Sequence, residues 1–82
     1  MAREVTIRGE MIRLGALLKL AGLIGAGGEA RAFLAERSVL VNGEPETRRG
    51  RQLHHGDVVE AGEEVVRVVG RAAGAPAAPD PG

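Results

Sequence analysis

Residues 13 to 56, RLGALLKLAGLIGAGGEARAFLAERSVLVNGEPETRRGRQLHHG, set two helical repeats, a glycine-rich connection, a hairpin signal and a run of arginines in immediate succession. Leu14, Leu17, Leu18 and Ala21 recur at i, i+3, i+4 and i+7, which lines apolar side chains along one face of a helix. The spacing predicts a first helix from about Glu10 to Ala21. Gly15 weakens that helix by up to ~1 kcal/mol relative to alanine, so tertiary packing must hold it. Gly22 to Gly28 contains four of the chain's 13 glycines. It leads into GEARAFLAER, where Ala30, Phe33 and Leu34 share a face. A second helix is expected from about Glu29 to Glu36, with Gly28 as its N-cap and Glu29 in the first turn, where the helix dipole favours an acid.

The flanking segments read as strands. Arg3 to Arg8 alternates polar and apolar with Val5 and Ile7 on one face, and Gly9 ends it. Val39 to Val41 is β-branched and apolar, and Asn42-Gly43 behind it is the strongest short hairpin signal in the chain. Pro45 follows almost at once, which makes the returning strand irregular or places it at a sheet edge. Val58-Val59 and Val65 to Val69 complete a small antiparallel sheet, with Gly62 in the turn between them. The expected fold is α+β, two short helices packed on a small antiparallel sheet, over residues 1–70. Residues 71–82, RAAGAPAAPDPG, lose all periodicity and read as a disordered tail.

With 82 residues the chain has room for one thin core and little for an enclosed active site. It has no cysteine, so neither a disulfide framework nor a thiolate metal site is available, which fits a reducing cytoplasm. No apolar run approaches the roughly 20 residues of a membrane span, and the first residues carry no signal-peptide pattern. No catalytic triad, cysteine nucleophile or metal cluster is evident, so an enzyme, a cofactor and a small-molecule substrate are not expected. Nothing in the sequence requires more than a monomer.

The 11 Lys and Arg balance the 11 Asp and Glu, but unevenly along the chain. From Arg13 to His55 seven bases stand against four acids, whereas Asp57, Glu60, Glu63 and Glu64 form an acidic stretch without a base. Segregation of this kind gives a neutral protein one positive face.

That basic half points to phosphate. A glycine loop entering a helix leaves backbone N–H groups unpaired, and the missing side chains allow close approach. The same glycines also suit a tight interhelical turn. Arg31 in the first helical turn is unfavourable to the dipole by ~0.3 to 1 kcal/mol, a cost that a bound anion would offset. Arg48, Arg49 and Arg51 form a run that no acid interrupts before His55. In a regular strand Arg49 and Arg51 would share a face and Arg48 would point away, so all three can serve one ligand only across a bulge or turn. His54 and His55, adjacent and without spaced partner ligands, have the pattern of surface residues rather than of a metal site.

The series R-L, L-L-K-L-A-G-L, G-G-E-A-R, V-L-V-N-G-E, E-T-R-R-G-R and G-D-V-V-E, over roughly residues 5 to 69, resembles the S4 RNA-binding domain, and most closely the small stand-alone S4-like proteins of bacteria. The resemblance implies structured RNA as the partner, ribosomal or transfer RNA, with the ribosome itself a further possibility. It implies RNA-facing roles for Arg13 and Lys19 on the first helix, for Gly27, Gly28 and Arg31 at the start of the second, and for Arg48, Arg49 and Arg51 after the hairpin. Two positions depart from the family pattern. Gly15 stands where many members have an acid, and Arg37-Ser38 replaces a glycine-basic pair. The latter puts an arginine where a left-handed glycine often closes a helix, at some local cost.

Three other readings compete. Gly25 to Ala30 satisfies the dinucleotide pattern G-x-G-x-x-A with Glu44 further on, but that pattern needs a strand before it, and Leu14 to Ala21 is helical in period. The V-N-G-E and G-D-V-V fragments also occur in ubiquitin-like sulfur carriers, whose chemistry uses a C-terminal diglycine where this sequence reads Pro81-Gly82. A small protein–protein interaction module without a nucleic-acid ligand is the third.

Overall fold

A computed structural model of the chain describes residues 2–70. The expected tail, residues 71–82, and with it the domain boundary at residue 70, lies outside the described residues. Helix α1 (Leu14–Leu20) begins four residues later than its apolar period predicts. The reason lies in a partner remote in sequence. Met11–Arg13 forms strand β2, which pairs antiparallel with β5 (Gln52–His54), with Ile12 opposite Leu53. The chain turns helical where this ladder ends, and the ladder's continuation caps the helix. No side chain caps α1. Instead the N–H of Leu14 donates to the Arg51 carbonyl (2.8 Å) and that of Gly15 to the Arg49 carbonyl (2.9 Å), which satisfies two of the donors a helix start leaves open.

The other end of α1 closes as its sequence permits. Gly22 has a left-handed φ of +78°, and its N–H and that of Leu23 donate back to Lys19 and Leu18 (3.0 and 2.9 Å), the paired bonds of a Schellman turn. The Arg3 guanidinium, from strand β1 (Ala2–Thr6), donates to the Ala21 carbonyl at 2.7 Å, a cation at the negative end of the helix. Gly15 is explained by packing. A Cβ placed there would lie 3.3 Å from the Ala30 Cβ and 3.5 Å from the Arg49 Cβ. Its intrinsic cost to the helix therefore accompanies a close approach of α1 to Ala30 and Arg49.

Helix α2 (Ala30–Glu36) is entered through one turn of 3-10 helix, Gly27–Glu29, so Gly28 is not its N-cap. The extended residue that opens the turn is Ala26, and Glu29, directly before α2, is already helical in φ and ψ. The glycines let the chain tighten early, which displaces the expected cap. At the C-terminus Arg37 is extended (φ −118°, ψ 146°). No left-handed residue is required there, and the anticipated cost of an arginine does not arise. Its guanidinium instead sits 5.5 Å from the centroid of the Phe33 ring.

Both helices cover one face of a five-stranded sheet of order β1-β7-β6-β3-β4, with β3 at Val39–Val41, β4 at Glu44–Pro45, β6 at Val58–Ala61 and β7 at Glu64–Val69. The sheet is mixed rather than wholly antiparallel. β1 runs parallel to β7, a pairing that the long connection through the rest of the domain permits. The remaining pairs are antiparallel. Asn42 (φ 52°) and Gly43 (φ 84°) both take the positive φ that a tight two-residue hairpin demands. β4 with Pro45 lies at the edge, where a missing N–H is harmless. Leu14, Leu17, Leu18 and Leu34 pack on Val39, Val41, Leu53, Val59, Val66 and Val68, all 3% exposed or less. Each such side chain contributes roughly 1.5–3 kcal/mol of burial. No helix among the described residues is long and apolar enough to cross a membrane.

Candidate nucleic-acid interface

The arginine segment leaves the sheet after β4 and is organised by Glu46, the one buried charged side chain among the described residues (7% exposed). Its carboxylate accepts five hydrogen bonds. One oxygen takes the backbone N–H groups of Thr47 (3.1 Å) and Arg48 (3.0 Å) and the Arg48 Nε (3.0 Å); the other takes Arg48 Nη2 (3.2 Å) and Arg51 Nη1 (2.9 Å). The Arg48 side chain, the Arg48 backbone N–H and Arg51 together hold the Glu46 carboxyl at a pKa of about 2, against the opposing effect of burial. Glu46 pairs both arginines while leaving the Arg48 side chain 73% exposed.

A turn does intervene in the basic run. The Arg51 N–H donates to the Arg48 carbonyl (3.2 Å), which brings Arg48 and Arg51 to the same carboxylate. Arg49 is sent the other way, its carbonyl on the N–H of Gly15. The three arginines therefore divide between two neighbouring depressions that share Gly50. Arg48 and Arg51 line one with Gln52, His54 and Asp57. Arg49 lines the other with Arg13, Lys19 and Gly27.

This second depression is a groove of about 480 Å³ whose floor is Gly15, Ala16 and Ala30 and whose rim is Arg13, Lys19 and Arg49. No acid lines it. Among the described residues Arg13, Lys19 and Arg49 form no ion pair, and Arg13 Nη1 makes one long hydrogen bond to the Gly50 carbonyl (3.4 Å). Of the residues expected to face RNA, the groove gathers Arg13, Lys19, Gly27 and Arg49. Arg48 and Arg51 stand next to it. Gly28 and Arg31 are exposed on the turn and first residues of α2 and line neither depression.

The histidines are engaged in the fold. The N–H of His54 donates to Asp57 Oδ2 (2.7 Å), and His55 Nδ1 accepts the N–H of Gly70 (3.1 Å). Among the described residues no group of three or more His, Asp or Glu side chains could hold a metal ion. The dinucleotide pattern is also resolved, since Gly25 to Ala30 follows helix α1 and not a strand.

Glu46 is the site residue that the motifs did not single out. Its signal was present: an acid at i and an arginine at i+2 share a face of an extended chain. Its tie to Arg51 depends on the turn at Arg49-Gly50, which spacing alone does not reveal.

A family model described as the S4 domain matches residues 5–69. A curated protein of Bacillus subtilis (strain 168), "Probable ribosome maturation protein RlbA", is 58% identical over 60 residues, covering 73% of this chain and 84% of that protein. The family match spans both helices, the Asn42-Gly43 hairpin, the arginine turn and the β6–β7 pair. The chain belongs to the S4 domain family.

Proposed function

We propose that this protein is a non-enzymatic, ribosome-associated RNA-binding protein of the cytoplasm that grips folded RNA, ribosomal RNA foremost, at the groove between α1, the 3-10 turn and the arginine turn. One observation carries the reading. Arg13, Lys19 and Arg49 converge on one groove with no acidic partner among the described residues, although the chain as a whole is neutral. Unpaired cations gathered in this way release counterions from a polyanion when it binds. The name of the Bacillus subtilis relative, a probable ribosome maturation protein, supports a role close to the ribosome. Arg48, Arg51 and Arg31 form the flank that meets the more distant backbone, and Gly27 and Gly28 let it come close.

The chain has no Trp or Tyr, and its single Phe packs beside Arg37, so rows of unpaired bases have no aromatic surface to stack on. Folded RNA should therefore bind more tightly than poly(U) at equal salt. Fluorescence anisotropy over a salt series tests both points. Replacing Arg13, Lys19 and Arg49 by alanine should weaken binding to ribosomal RNA fragments and lower the slope of log K against log salt by about 0.7 to 0.9 for each phosphate no longer neutralised. A folded triple variant that binds with the wild-type slope, or equal affinity for poly(U), overturns the proposal. A protein-interaction surface has one observation in its favour, the exposed Met11 and Leu20 beside a further depression near Ile7. On that reading the triple variant would keep its partner and neither protein would bind RNA.

A further inference from the structure

The chemistry of the groove floor differs from that of its rim, and the difference bears on what lies in it. A phosphate seated in the floor would need N–H donors there. Those of Leu14 and Gly15 at the start of α1 already donate to the carbonyls of Arg51 and Arg49. What the floor offers is the bare backbone of Gly15 and the methyl group of Ala16, over an Ala30 methyl that is itself only 1% exposed. Gly15 keeps it open, since even a methyl at that position would press on Ala30. Positive charge is confined to the rim. An apolar slot edged by three cations is complementary to a flat, uncharged body joined on both sides to phosphates. Its volume, about 480 Å³, lies in the range of about 300–1,000 Å³ typical of small-ligand sites.

We propose that the groove seats a single unpaired nucleotide of the RNA, its base on the Gly15, Ala16 and Ala30 floor and its flanking phosphates at Arg13, Lys19 and Arg49. This inference rests on the RNA-binding reading above and narrows it to RNA that presents a bulged or looped-out residue. A paired base stays in its stack and cannot enter; an unpaired one leaves it at small expense. The guanidinium planes of Arg13 and Arg49 provide stacking surface in a chain without Trp or Tyr. The floor holds no side-chain donor or acceptor, so it does not select the identity of the base.

The test uses the full chain and three blunt RNA duplexes: one perfectly paired, one with a single bulged 2-aminopurine, and one with an abasic residue at the bulge. Seating one base corresponds to about 5- to 150-fold in affinity, so the bulged duplex should bind tighter than the other two by that margin. The 2-aminopurine fluorescence should change on binding. Ala16→Leu, at an exposed helical position, fills the slot without altering charge, and should bring affinity for the bulged duplex down to that of the perfect duplex measured with the same variant. Equal binding of the bulged and perfect duplexes, equal binding of the abasic and base-bearing bulges, or a preference that survives Ala16→Leu each overturns the seated nucleotide and leaves RNA binding intact. No binding to any duplex at micromolar protein overturns the RNA-binding reading itself.

Discussion

Replacing Glu46 by glutamine removes one negative charge from the arginine turn, and simple electrostatics would have this raise affinity for RNA. The geometry leads to the opposite expectation. The carboxylate holds five donors, and the groove's own Arg49 lies within the loop they define. A glutamine amide offers one oxygen and one NH₂, and the NH₂ must face N–H groups wherever it is placed. At least two of the five bonds are broken. Arg48 can turn to water, so the destabilisation amounts to about 2 kcal/mol rather than the full cost of each orphaned donor. For a domain of this size that lowers the melting temperature by roughly 8–16 °C. The looser turn also releases the carbonyls that cap α1, so RNA affinity should fall despite the gain in positive charge.

The pH dependence separates this account from a general loss of packing. The Glu46 carboxyl is lowered from 4.5 to about 2 in the fold. A depressed carboxylate pKa adds stability that is complete above the unfolded value and disappears as pH falls through the folded one. The shift converts to about 3 kcal/mol at most, and solvent around the exposed Arg48 guanidinium reduces this to about 2. Chemical denaturation of wild type and Glu46→Gln between pH 7 and pH 2.5 should show a gap of that size at pH 7. It should shrink to less than half below pH 3, because the carboxyl of the unfolded chain, near 4.5, is by then protonated while the folded one, at about 2, still holds most of its charge. Parallel stability curves over the whole range, or a variant that binds RNA more tightly than wild type, would refute the reasoning.

Three further outcomes are expected. Gly70→Ala brings a methyl to 2.6 Å from Ile7 Cγ1 and 2.8 Å from the Gly9 carbonyl, and should cost about 1–3 kcal/mol in urea titrations; no loss would mean that this end of the sheet yields easily. Asn42→Ala puts alanine at a positive φ and removes the bonds to Asp57 (3.0 Å) and to the Val58 N–H (2.9 Å). It should lower the urea midpoint by the equivalent of about 1–2 kcal/mol with unchanged RNA affinity, and a change in affinity would place the hairpin in the interface. Ending the chain after Arg71 should leave the melting temperature within about 1–2 °C and RNA affinity within about twofold, because AAGAPAAPDPG has no basic residue and little to bury; a larger loss of affinity would make the tail part of the site.

Much of this protein was determined by its sequence alone, wherever the deciding interaction spans only a few residues. The apolar period of Leu14, Leu17, Leu18 and Ala21, the Asn42-Gly43 hairpin, the edge position of Pro45 and the Gly62 turn need only neighbours in the chain, and each stands in the structure as read. The family motifs likewise named the basic residues that line the groove. Tertiary structure decided what depends on residues far apart. Met11 to Arg13 is a strand and not a helical turn because Gln52 to His54 supplies its ladder, and α1 starts where carbonyls of Arg49 and Arg51 meet it. β1 pairs parallel with β7 across the whole length of the domain, a contact that no local pattern announces. The arginine run shows the division most plainly. Its charge is visible in the letters, but which arginines are paired and which are free follows from a turn that folds Arg51 back on Glu46 and turns Arg49 toward Gly15. Coulomb energy depends on distance in space, and a sequence records only distance along the chain.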